Sequence, residues 1–89
     1  MEQTDPINLK RLRTFVQDAL RRSQGLAPET AGGLLRANAQ VLRRHLKALS
    51  AWAAGAADLP CPPHLQGLSA FELADAAEAL EAEAARRCA

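Results

Sequence analysis

Between Pro28 and about Ala54, apolar residues recur at helical spacing along two adjacent stripes. One stripe holds Leu35, Ala39, Leu42, Leu46, Leu49 and Ala53; the other holds Leu34, Asn38, Val41, His45, Ala48 and Trp52. Arg36, Gln40, Arg43, Arg44 and Lys47 take the opposite side. At 1.5 Å per residue such a helix is roughly 40 Å long, so the other segments must arrange themselves along it. Gly32 and Gly33 fall near its start. Either they weaken the first turns, at roughly 1 kcal/mol per Gly, or they let another segment cross closely.

The residues available for a core are small. The chain has 89 residues, with 20 Ala and 14 Leu against two Phe, one Trp, two Val, one Ile and no Tyr. An Ala methyl buries little apolar area, so at about 25 cal/mol per Å² the core is thin and the helices must approach closely. Ala, Leu, Arg, Glu and Gln favour helix, and no stretch alternates as a strand. The expected class is all-α, in one domain covering 1–89.

The local signals divide the chain into three helices, at about 6–24, 28–54 and 69–87. Asp5 before Pro6 reads as an N-cap followed by proline at the first helical position. Leu9, Leu12, Val16, Ala19 and Leu20 share one face of helix 1, and Gly25 suits the position after its end. The short link Leu26–Glu29 predicts that helices 1 and 2 form an antiparallel hairpin. From 56 to 67 the Pro60-Cys61-Pro62-Pro63-His64 run forbids helix and makes a stiff connector. Helix 3 opens with a capping box, Ser69 to Glu72, with Leu68 and Leu73 as the hydrophobic staple. Leu73, Ala77, Leu80, Ala84 and Cys88 then form a narrow strip suited to the wider face of helix 2, while Asp75, Glu78, Glu81 and Glu83 read as a solvated face, with Glu83 and Arg87 an i, i+4 pair. The predicted architecture is a three-helix bundle on a long central helix.

The net charge of +1 conceals an asymmetry: residues 1–50 carry +5 and residues 51–89 carry −4. That layout suits pairing within the chain or between subunits. The basic strip Arg36, Arg43, Arg44 and Lys47, extended by Lys10, Arg11 and Arg13, also makes nucleic-acid binding the alternative function. Against it stand the near-neutral pI of about 7.9 and the lack of aromatics for base stacking. No leader is recognisable and the longest uncharged stretch, Ala48–Ala57, is too short to span a membrane. A cytoplasmic location with reduced thiols is expected.

Cys61, His64, His45 and Cys88 make a nominal zinc set, but the topology argues against it. If helix 3 runs back along helix 2, Cys88 lies roughly 27 Å from the connector, and His45 is expected mid-helix, far from both. No metal, cofactor or disulfide is therefore expected. No nucleophile–base arrangement and no phosphate-binding loop can be assembled, so the chain is not expected to be an enzyme. The plain reading of Asn38 and His45 is polar groups at the edge of the core.

The remaining expectation is association. Helix 2 carries more apolar width than two neighbours with narrow faces need, and Trp52 is an anchor of the kind interfaces use. The expected function is a small regulator, of the kind bacteria and phages encode, that binds and modulates a larger protein and self-associates as a homodimer or higher homo-oligomer. The residues expected to carry binding are Leu34, Val41, His45 and Trp52, with Arg43, Arg44 and Lys47 beside them.

Overall fold

A computed structural model describes residues 6–55 and 58–88, and among them the chain is all-helical. Three helices follow in order: α1 (Ile7–Ser23), α2 (Pro28–Gly55) and α3 (Ala70–Arg87). Helix α1 begins one residue later than the sequence predicts. Pro6 is the cap and not the first helical residue, because its ψ of 146° is extended. Its carbonyl still accepts from the Leu9 and Lys10 amides. The expected N-cap, Asp5, lies outside the described residues. At the other end Gly25 has φ +81°, the left-handed conformation that Gly adopts at little cost. Helix α2 starts on Pro28 as expected, with Glu29 in its first turn.

The best local signal in the sequence is realised in full. Ser69 Oγ accepts from the Glu72 amide at 3.1 Å, and the Glu72 carboxylate accepts from the Ser69 amide at 2.9 Å. Both groups would otherwise be orphan donors at the start of α3.

Helices α2 and α3 form the tightest pair. Ala31, Leu35, Ala39 and Leu42 on α2 are buried, as are Leu73, Ala77, Leu80 and Ala84 on α3. The small residues let the two backbones come close, and the larger Leu side chains fill between them. Contacts run in opposite order along the two helices: Cys88 lies against Pro28, whereas Glu81 meets Arg43. Leu65 of the connector, fully buried, plugs the core from below the start of α3. Helix α1 adds Leu12 and Ala19.

The Gly pair has a divided answer. A Cβ on Gly32 would lie 2.5 Å from Cys88 Sγ, whereas one on Gly33 would meet nothing within 4 Å. Gly32 makes room for the end of α3; Gly33 has no such role.

The Cα extents are 46 × 35 × 16 Å. Of the three helix pairs, α1 and α3 meet most lightly. An open groove lies between them.

Candidate functional site

The groove between α1 and α3 is floored by Leu9, Leu12 and Val16 from one side and Ala76 and Ala79 from the other, and encloses about 370 Å³. Periodicity explains the floor. Leu9, Leu12 and Val16 recur at i, i+3 and i+7 on α1, so they share a face. Part of that face meets the core through Leu12, and Leu9 and Val16 are left half-buried. Glu72 and Asp75 line the α3 lip, and Arg13 and Gln17 line the α1 lip. Phe71 stands on the rim with 77% of its surface exposed. It is two residues before Leu73, and at 100° per residue this turns it well away from the Leu73–Ala77–Leu80 strip.

Phe71 is the residue that the sequence reasoning did not single out. The signal was present: an aromatic off the apolar repeat of a helix whose other outward residues are Ala, acids and Arg86. A single exposed apolar residue is ordinary on a protein surface, but Phe71 adjoins the apolar floor of the groove.

The residues expected to form one binding surface on α2 divide among several environments. Val41 and His45 line a second, smaller cleft of about 170 Å³ with Asn8, Arg11, Leu12 and Phe15 of α1. At these positions the second stripe is half-buried beneath α1 and the connector, not a bare face. Leu34 is half-buried, and its carbonyl accepts from Asn38 Nδ2 at 2.7 Å. Trp52 turns onto its own connector: its indole N–H donates to the Leu59 carbonyl at 2.8 Å, and its ring packs against the core. Arg43 pairs with Glu81 across α2 and α3. Arg44 and Lys47 are exposed.

Two other expectations are corrected. His45 is not far from His64, because the connector folds back beside the middle of α2; the ring centres are 5.2 Å apart. Burial, the neighbouring His64 and Arg44 together hold the His45 pKa below the usual histidine value of 6.5. Nor do the acids of α3 form a uniform solvated face. Glu81 binds Arg43 and Glu83 binds Arg86, while the Glu83–Arg87 pair is the one that the i, i+4 spacing predicts. Both carboxyls are held below the usual 4.5, chiefly by the hydrogen bonds from Arg43 to Glu81 and from Arg87 to Glu83. Arg87 also donates to the Ser23 carbonyl at 3.1 Å and so ties the end of α3 to the end of α1.

Cys88 lies beside Gly32 and Arg36, at the far end of α3 from the connector that holds Cys61. Both thiols are free. Among the described residues no group of three or more His, Cys, Asp or Glu side chains converges on a point. No helix among them is long and apolar enough to cross a membrane. Compared with protein-family models, curated proteins and solved structures, the chain matches none.

Proposed function

We propose that this protein is a small non-catalytic protein–protein interaction module, a regulator that binds a larger protein and modulates it. The observation that carries the reading is the exposed Phe71 beside an apolar groove. The groove has the width left by two helices that fail to close on each other. Its natural occupant is the apolar stripe of an amphipathic helix, inserted between α1 and α3. Phe71 would be buried on binding, and a Phe that passes from exposed to buried gains roughly 1.5–3 kcal/mol.

In the same reading α1 and α2 act as an antiparallel hairpin on a long central helix, with α3 folded back by the connector. A second copy of the chain is a further occupant of the same groove, through its own exposed Phe71. The alternative, nucleic-acid binding, loses one of its cations to Glu81. We therefore rank it second.

Light scattering across a concentration series tests the reading, with Phe71→Ser as the comparison. The wild type should gain mass with concentration, or form a defined complex with a protein captured from its native host. Phe71→Ser should stay helical by circular dichroism and do neither. If Phe71→Ser associates as the wild type does, the groove is not the binding surface. Salt-sensitive binding of labelled duplex DNA at micromolar protein would favour the alternative.

A further inference from the structure

We propose that His45 and His64 together form a two-imidazole site for a divalent transition-metal ion, zinc foremost, joining α2 to the connector. The ring centres are 5.2 Å apart and the rings tilt by 60°. A tetrahedral ion about 2.0–2.1 Å from each ligating nitrogen holds its two ring centres roughly 5 Å apart. The observed spacing therefore matches one ion shared between the rings. Among the described residues, the ring contact of each imidazole is with the other.

Both positions are held before any ion arrives. His45 sits in the middle of α2, next in line to the buried Leu42 and Leu49. His64 is bracketed by a clamp from α1, where buried Asn8 donates to the Pro63 carbonyl at 2.7 Å and to the Gln66 carbonyl at 2.8 Å. Leu65, the next residue, is fully buried, and two prolines precede His64 with φ fixed by their rings. A site whose ligands are fixed by their surroundings needs little ordering on binding.

His64 is exposed, so an ion reaches the pair directly from solvent. With two protein ligands, water completes the coordination shell. Arg11 lines the same cleft and Arg44 lies close to His45; their positive charges oppose a dication. The affinity is therefore modest, well short of a closed four-ligand zinc site. The preference is for ions that favour imidazole, such as zinc, copper and nickel, over magnesium and calcium.

The test is a zinc titration of the reduced, chelator-stripped full chain at pH 7.5 against a chromophoric zinc indicator. One ion per chain is expected. His64→Gln, at an exposed position, and His45→Gln should each weaken binding by at least about tenfold. Cys61→Ser and Cys88→Ser should leave it unchanged. Circular dichroism checks that each variant is folded, and X-ray absorption on the loaded wild type should report two imidazole ligands. Binding that survives both histidine changes, or disappears with a cysteine, overturns the site. So does failure to saturate by roughly 1 mM zinc, or half an ion per chain with a doubled mass.

Discussion

Arg43 on α2 donates two hydrogen bonds to the Glu81 carboxylate on α3, at 2.7 and 3.3 Å. The contact explains why the basic first half and the acidic last helix coexist in one near-neutral chain. Part of that asymmetry is internal pairing. Both side chains remain about two-fifths exposed, so water screens the attraction and the pair adds little stability. Arg43→Met and Glu81→Gln should each destabilise far less than Leu80→Ala, which empties a fully buried site and should cost about 2–5 kcal/mol. Urea denaturation of the three variants checks the ranking. A double-mutant cycle on Arg43 and Glu81 should give a small coupling that shrinks with added salt.

The two neighbouring glycines of α2 should respond in opposite ways to the same change. Gly33→Ala adds a methyl into open space and removes a flexible residue from a helix interior, so it should stabilise by about 0.5–1 kcal/mol. Gly32→Ala gains the same propensity but drives a Cβ into Cys88 Sγ. The thiol must then leave the Pro28 carbonyl, 3.5 Å away. The net change should be near zero or unfavourable. If the two melting temperatures rise equally, the close approach of α3 at Gly32 is not present in solution.

What was legible in the sequence was what depends on near neighbours along the chain. Ser69 and Glu72 are three residues apart, and the capping box follows from their identities and spacing alone. The strip Leu73, Ala77, Leu80 and Ala84 is likewise a matter of period, and all four residues are buried. The features on which the proposals rest depend instead on where segments land. His45 and His64 are close only because the connector folds back alongside α2. Phe71 is exposed because α1 does not reach across it. Trp52 illustrates the same limit from the other side: its stripe position suggested an external anchor, but the polypeptide leaving α2 turns back to accept its N–H. Periodicity tells which face is apolar, and not which segment covers it.

The pH dependence of stability should have two steps. His45 has its pKa lowered by burial first, then by His64 and Arg44. Between that lowered value and 6.5 the unfolded chain holds more protons than the folded one, so stability falls as pH drops below 6.5. Glu81 and Glu83 are also lowered, from 4.5. Their contribution is complete above 4.5 and is lost as pH falls below it. Urea midpoints measured with chelator present should therefore decline first from pH 7 towards 5, then again below 4.5. His45→Gln should flatten the first decline and leave the second. An unaltered first decline would assign it to another group.

Asn8 is the residue whose role was least visible in advance, and it allows a strong test. It is only 6% exposed and uses both hydrogens of its amide on the connector, at Pro63 and Gln66. These two bonds span more of the sequence than most others and hold the connector onto the start of α1. Asn8→Ala removes both donors and strands two carbonyls, each bond contributing about 1 kcal/mol. The loss of roughly 2 kcal/mol corresponds to about 8–16 °C in melting temperature for a domain of this size. Asn8→Asp should be worse, because a carboxylate would face two carbonyl oxygens with nothing to donate. Hydrogen exchange separates this from a general loosening. In Asn8→Ala the Leu65 and Leu68 amides, bonded to the Pro62 and Leu65 carbonyls, should lose protection well before the α2–α3 core amides do. If all amides lose protection together, the connector unfolds with the rest, and the clamp supports the whole domain rather than the loop that carries His64.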